Sequence, residues 1–237
     1  MPAPLNFTTL QGVIFDLDGT LVDTVGDFVL ALNHMLARLP LPTGTPTAVG
    51  RETVEQLIGK GSEHLIRSLL SRVLAEGGHT LPAAEFEALQ APAWDHYQTH
   101  YLAINGQEAH VYPGVLACLE RLQARGMPLA CLTNKPTAFA LPLLQAKGLD
   151  RFFPVVFGGD AFERKKPDPL PLVKTCEALG TLPAHTLMVG DSSNDAQAAR
   201  AAGCPVWLVT YGYNHGQPVH SVDADGFTDS LDTLLAA

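Results

Sequence analysis

Four carboxylates stand where the sequence predicts that buried strands end. Asp16 and Asp18 follow the apolar run GVIF, and Asp191 and Asp195 belong to GDSSND, directly after TLMV. In open parallel sheets, ligands bind at the edge formed by the carboxyl ends of the strands. We expect these acids to meet there, although like charges at close range are costly. A hard divalent cation would offset the repulsion, and a site with oxygen ligands alone favours Mg²⁺ over zinc.

Other polar residues at predicted strand ends suit a phosphoryl group. Thr133 and Asn134 follow the run PLACL, and Lys166 stands before Pro167 after the run VVFGG. A hydroxyl, an amide and an ammonium can bind phosphate oxygens while a carboxylate attacks the phosphorus in line. The sequence therefore predicts covalent phosphoryl transfer.

Asp16 and Asp18 have the positions of a nucleophile and a proton carrier. Asp16 ends a strand and is the better fixed of the two, which suits the nucleophile. Asp18 would protonate the leaving alkoxide and then take a proton from the water that breaks the aspartyl-phosphate. Gly19 would permit the tight turn that brings Asp18 over the site. Each motif alone has an ordinary interpretation as a turn or a helix cap, so the prediction depends on their joint occurrence in this order.

The composition argues against several other classes of function. With a formal net charge of −9 and 15 Lys and Arg residues, the chain lacks the basic surface that nucleic acids or anionic membranes require. The 4 cysteines are scattered, which predicts buried thiols rather than a metal site or a disulfide. We see neither a signal-peptide pattern nor a membrane-length apolar run, and we expect a soluble, cytoplasmic protein.

An alternation of helical and strand-like patterns predicts the scaffold that positions these residues. Helical patterns end at Gly126, Gly148, Gly180 and Gly203, and each is followed by a short run rich in apolar residues. Such alternation predicts an α/β fold with a parallel, doubly wound sheet, to which the strand before Asp16 also belongs.

The alternation stops between the first two predicted strands, where apolar residues recur at helical spacing. We interpret residues 23–108 as an all-helical insert, with Ser62 as one helix N-cap. Residues 1–22 and 109–237 would form the α/β core. The insert is one place where two copies could pack as a homodimer.

With these motifs in order, the sequence resembles the haloacid dehalogenase superfamily of phosphotransferases. DLDGTLVDT is similar to the first family motif, the TN of LTNKP to the second, KP to the third and GDSSND to the fourth. The resemblance implies that Asp16 is the nucleophile, Asp18 the acid and base, and Lys166 the cation that steadies nucleophile and phosphate. It assigns phosphate binding to Thr133 and Asn134.

The resemblance also implies the metal ligands. Mg²⁺ would be held by the carboxylate of Asp16, the backbone carbonyl of Asp18 and Asp191. Asp195 would be a supporting acid that pairs with Lys166.

The helical insert is placed like the C1 cap of that superfamily. Its IGKG stretch, residues 58–61, sits where related phosphatases carry a substrate-specificity loop. Lys60 in this loop would be a substrate-binding residue that meets a carboxylate.

A narrower resemblance is to bacterial phosphoglycolate phosphatases, in LTNKPT, AARAAGCP and TYGYN. It implies a small phosphate ester, 2-phosphoglycolate, as substrate. The sequence departs from the pattern of these phosphatases in two places. The KKPDPLPL stretch is shorter than expected, and Lys60 stands where we expect Asn. The alternatives are a phosphatase for another small ester, a phosphoryl transferase similar to β-phosphoglucomutase, and a signalling receiver that keeps its aspartyl-phosphate.

Overall fold

The computed structural model describes residues 9–236, and its strands and helices alternate as predicted outside the insert. The strands are β1 (Gly12–Phe15), β2 (Val22–Asp23), β3 (His110–Val111), β4 (Leu129–Leu132), β5 (Val155–Phe157), β6 (Thr186–Gly190), β7 (Val206–Val209) and β8 (Gly226–Thr228). The helices are α1 (Val25–Leu36), α2 (Arg51–Glu55), α3 (Ser62–Glu76), α4 (Ala83–Ile104), α5 (Val115–Ala124), α6 (Thr137–Ala146), α7 (Leu170–Leu179) and α8 (Ser193–Ala202).

Six strands form one parallel sheet in the order β5-β4-β1-β6-β7-β8. The central strand β1 pairs with β4 on one side and with β6 on the other, so that Val13 lies opposite both Leu129 and Leu187. The predicted doubly wound α/β fold is confirmed. The edge strand β8 was not predicted, because three residues that begin with glycine carry no strand pattern of their own.

Both faces of the sheet are covered, which explains why its strands are apolar throughout. Val13 and Phe15 lie in a cluster with residues of α5 and α6, whereas Ile14 between them lies in a cluster with residues of α7 and α8. This alternation follows from the two-residue period of a strand. The helices α5 to α8 end as predicted, with left-handed φ angles of 68°, 66°, 68° and 80° at Gly126, Gly148, Gly180 and Gly203.

Helices α1 to α4 pack on one another and form an apolar cluster of their own, which Phe139 and Tyr213 of the remaining chain join. The antiparallel pair β2 and β3 holds together the two connections to these helices. It was not predicted, since each strand has only two residues. The boundaries at residues 23 and 108 stay a prediction, and residues 1–8 lie outside the described part of the chain.

One predicted helix cap was wrong. Helix α3 begins at Ser62 itself, and the residue before the helix is Gly61, whose φ of 89° favours glycine. Ser62 is therefore the first helical residue rather than the N-cap.

Two expectations from composition bear on the described residues. All four cysteines are buried free thiols, as predicted. Within residues 9–236, no helix has the length and apolar character of a membrane span.

The imidazoles of His34 on α1 and His100 on α4 are stacked between these two helices of the insert, with ring centroids 3.7 Å apart. Burial lowers the pKa of His34, and the positive charges of His100, Arg38 and His96 lower it further. Below about pH 6.5 the unfolded chain therefore binds this proton more readily than the folded chain, and protonation favours unfolding.

We predict that acidification from about pH 7.5 to about pH 5 lowers the free energy of unfolding less in His34→Gln than in the unaltered protein. Urea titrations at several pH values measure this difference. Equal slopes in the two proteins would contradict the assignment.

Candidate active site

The predicted acids meet at the carboxyl ends of the central strands. Asp16 follows β1 and Asp191 follows β6, while Asp195 lies in the first turn of α8. All three side chains are buried, and each offers a carboxylate oxygen within 4.8 Å of the others. The neighbouring position of β1 and β6 in the sheet brings residues 175 positions apart into this cluster.

Lys166 is the cation of the cluster, and its side chain is 1% exposed. Its Nζ lies 3.0 Å from Oδ1 of Asp16 and donates to Oδ1 of Asp195 at 2.7 Å and to the Leu132 carbonyl at 2.7 Å. Three partners use the three hydrogens of an ammonium. The predicted pairing of Lys166 with Asp195 is present, whereas Lys165 lies against Gly61.

Asp195 is held by the start of its own helix as well as by Lys166. Its Oδ2 accepts hydrogen bonds from the Ser192 backbone N–H at 3.1 Å and from the Ser192 hydroxyl at 2.8 Å, as part of a capping box. Both of its oxygens are therefore engaged by the protein. This arrangement suits a residue that positions Lys166 better than one that binds a ligand.

The cluster carries more negative charge than Lys166 neutralises. Burial raises the pKa of Asp16 to about 7, although Lys166 opposes the shift and Asp195 adds to it. Burial, followed by the charges of Asp195 and Asp16, raises the pKa of Asp191 well above its usual value. Both shifts have the direction expected of an acidic cluster that further positive charge would stabilise.

A hard divalent cation fits this donor set. Oδ2 of Asp191 accepts the Tyr213 backbone N–H at 2.6 Å, and its Oδ1 accepts no hydrogen bond from residues 9–236. Asp16 and Asp191 could hold the cation through oxygen atoms alone, which suits Mg²⁺. Gly19, with a φ of 82°, lies so close that a Cβ there would collide with the Asp191 carboxylate. The same is true of Gly212, which sequence reasoning missed.

The second motif lies beside Asp16, but its side chains have partners that the sequence did not suggest. Asn134 donates through Nδ2 to the Gly59 carbonyl at 3.0 Å and to the Lys166 carbonyl at 2.8 Å. Asn194 also donates to the Gly59 carbonyl, at 3.0 Å. The two amides thus fasten the loop of residues 58–61 over the site. The Thr133 hydroxyl oxygen accepts the Lys135 backbone N–H at 3.1 Å.

A small cavity of about 20 Å³ lies between Asp16 and this loop. It is lined by Asp16, Asp18, Phe28, Ile58, Gly59, Gly61, Ser62, Leu65, Thr133, Asn134 and Lys135. Lys60, predicted to bind substrate, does not line this cavity. It lines a separate, open groove of about 670 Å³ together with His64, Arg67 and Lys165.

Asp18 is held by two residues that sequence reasoning missed. Lys135 lies 2.9 Å and 3.1 Å from its two carboxylate oxygens, and the Thr24 hydroxyl donates to Oδ1 at 2.8 Å. Lys135 directly follows the TN pair in LTNKP, so its proximity to that motif was the one available signal. Thr24 ends DLDGTLVDT, but nothing in the motif shows that the chain turns back toward Asp18.

We predict that Lys166→Met lowers the free energy of unfolding by about 3–5 kcal/mol, because the buried Asp16 and Asp195 lose their shared cation. Urea denaturation in the presence of a chelator measures the loss. Adding Asp195→Asn should restore part of it, since one of the two unpaired charges disappears.

Lys174→Met is the matched control, because Lys174 is 44% exposed and pairs with Glu177 on the surface. Its loss should stay within about 0.5 kcal/mol. A loss in Lys166→Met no greater than that of the control would contradict the central role of Lys166.

Comparison with known proteins agrees with this geometry. The chain is 40% identical to a phosphoglycolate phosphatase of Thiobacillus denitrificans over 94% of its length and 92% of that protein. It is 38% identical to a phosphoglycolate phosphatase of Escherichia coli K12, with 98% and 93% of the two chains covered. The crystal structure of a predicted phosphoglycolate phosphatase from Haemophilus somnus is similar with a TM-score of 0.85 at 33% identity, covering 98% of this chain and 99% of that one.

The family model for haloacid dehalogenase-like hydrolases matches residues 13–209, from the strand before Asp16 to the end of β7. This range contains all four motifs and every side chain of the acidic cluster. The chain therefore belongs to the haloacid dehalogenase-like hydrolase family.

Proposed function

We propose that this protein is a Mg²⁺-dependent phosphatase that hydrolyses 2-phosphoglycolate to glycolate and phosphate. The observation that carries the proposal is the buried contact of Asp16 with Lys166 beside Asp191, which brings a nucleophile, a cation and a metal ligand together next to the cavity that Asp16 lines. Relatives that are 38–42% identical over nearly the whole chain carry the name phosphoglycolate phosphatase, which supports the choice of substrate.

Asp16 would attack the phosphorus in line, forming an aspartyl-phosphate as the ester P–O bond breaks. The Leu17 backbone N–H donates to Oδ1 of Asp16 at 2.7 Å and, together with Lys166, fixes the orientation of the carboxylate. Asp18 would donate its proton to the departing glycolate oxygen and then accept one from the attacking water. The Thr133 hydroxyl would bind a phosphate oxygen, and the Lys166 ammonium, held by Asp16, Asp195 and the Leu132 carbonyl, would stabilise the negative charge of the phosphate electrostatically.

Mg²⁺ would be held by Asp16, Asp191 and the Asp18 carbonyl, and when bound it would neutralise charge on the transferring group. Asp195 would keep Lys166 in place through its 2.7 Å contact. The raised pKa values of Asp16 and Asp191 support this assignment, because burial and then the neighbouring carboxylates disfavour their charged forms, which a bound cation would favour.

In this structure the cavity beside Asp16 is too small for an intact phosphate ester. Its free volume of about 20 Å³ holds little more than one water-sized group, so the loop held by Asn134 and Asn194 has to move when substrate enters. Closing the loop again would exclude bulk water during phosphoryl transfer. A cytoplasmic location, the homodimer and the absence of nucleic-acid and membrane partners stay predictions from the sequence.

A phosphate-release panel with and without Mg²⁺ tests the function. We expect the fastest turnover with 2-phosphoglycolate, slower turnover with sugar and nucleotide monophosphates, and loss of activity with chelator that Mg²⁺ restores. Asp16→Asn should reduce turnover at least about 1,000-fold, because the amide is a poor nucleophile.

Asp150→Asn, an exposed exchange remote from the site, is the control for the same chemical change. Turnover that survives Asp16→Asn would disprove the assignment of Asp16 as the nucleophile. A higher rate with a sugar phosphate, with a bisphosphorylated sugar among the products, would instead support a phosphoryl transferase.

A further inference from the structure

Lys135 is a buried lysine to which the chemistry above gives no part. It lies between β4 and α6, and its side chain is 1% exposed. Its Nζ lies 4.4 Å from the ring centroid of Phe28 and 4.8 Å from that of Tyr101, both contributed by the helical insert. Aromatic faces attract an ammonium, but a buried cation still requires an anion as hydrogen-bond partner.

The anion in this structure is Asp18. Both carboxylate oxygens of Asp18 contact the Lys135 ammonium, at 2.9 Å and 3.1 Å, and Oδ1 also accepts the Thr24 hydroxyl. To protonate the leaving-group oxygen, Asp18 has to give up at least one of these contacts. Lys135 would then be left as a buried ammonium short of its partner, unless another anion takes the place of Asp18.

The substrate cavity points to that anion. Among its lining residues within the described chain, Lys135 is the one with a positive charge, and it lies together with the insert residues Phe28 and Leu65. Lys60, predicted to meet a carboxylate, lines the open groove instead. A phosphate ester that presents its phosphorus to Asp16 would extend its other end toward the insert, where the Lys135 ammonium lies.

We propose that Lys135 binds the carboxylate of the substrate, and that this carboxylate replaces Asp18 as the partner of the Lys135 ammonium. The exchange keeps the buried ammonium paired with an anion and frees Asp18 to face the leaving-group oxygen. Lys135 is then a specificity residue for phosphate esters that carry a second, carboxylate anion. This inference rests on the proposed function, because it names the group that recognises the glycolate end of 2-phosphoglycolate.

The test compares two esters that differ in the carboxylate. In ethyl phosphate a methyl group stands where 2-phosphoglycolate has its carboxylate, and the phosphate end is the same. Lys135→Met removes the charge and keeps an unbranched side chain between the two rings. We expect the ratio of kcat/KM for 2-phosphoglycolate to kcat/KM for ethyl phosphate to fall at least about 10-fold, mainly through KM.

The rate with ethyl phosphate separates this role from a purely positioning one. If Lys135 only held Asp18 in place, Lys135→Met would slow both esters equally, and the unchanged ratio would overturn the proposal. An unaltered ratio with both rates intact would overturn it as well. A larger fall of the ratio in Lys60→Met than in Lys135→Met would transfer the role to Lys60.

Lys174→Met, on the exposed surface of α7, controls for the loss of one lysine charge. Thermal unfolding shows whether Lys135→Met is folded, and Lys135→Gln, which retains a polar end, is measured beside it so that the ratio is obtained from a folded variant. The unaltered protein tests the underlying function separately. If it shows no preference for 2-phosphoglycolate over ethyl phosphate, the proposed function fails, whereas a preference that persists in both Lys135 variants refutes the role of Lys135 alone.

Discussion

The contact of Lys166 with the carboxylates of Asp16 and Asp195 is the interaction on which the site depends. The three side chains come from the loops after β1 and β5 and from helix α8, which follows β6. They meet because β5, β4, β1 and β6 are consecutive neighbours in the sheet. A packing that separated them would leave charges in an apolar interior without a partner, which costs several kcal/mol for each ion. The strand order and the constellation at its edge therefore support each other.

The same contact leaves the cluster with an excess of negative charge. Lys166 is shared by two carboxylates, and Asp191 has only a backbone N–H as partner within the described chain. Burial and mutual repulsion raise the pKa values of Asp16 and Asp191, so the protein alone does not stabilise their charged forms. The absence of side chains at Gly19 and Gly212 lets the backbone approach Asp191 closely. The polypeptide has thus built an acidic site that an additional cation would stabilise in its ionised form.

The sequence predicted those parts of the molecule that short-range patterns encode. Glycines that end helices, apolar runs and acids at strand ends were enough for the sheet, the insert and the acidic cluster. The two-residue strands β2 and β3 and the edge strand β8 were missed, because their pairing depends on neighbours far along the chain. Lys135 was missed for the same reason, since its contacts with Asp18, Phe28 and Tyr101 exist only after the insert folds back on the core.

Residues 133–135 make three different interactions, although they belong to a single sequence motif. The Thr133 hydroxyl remains available to a phosphate, the Asn134 amide holds the Gly59 carbonyl of the insert, and the Lys135 ammonium holds Asp18. A substrate that displaced the Asn134 contact would loosen the loop of residues 58–61, and one that displaced the Lys135 contact would free the Asp18 carboxylate. Because the stretch directly follows the rigid strand β4, such a displacement would be borne by the insert and by Asp18 rather than by the sheet.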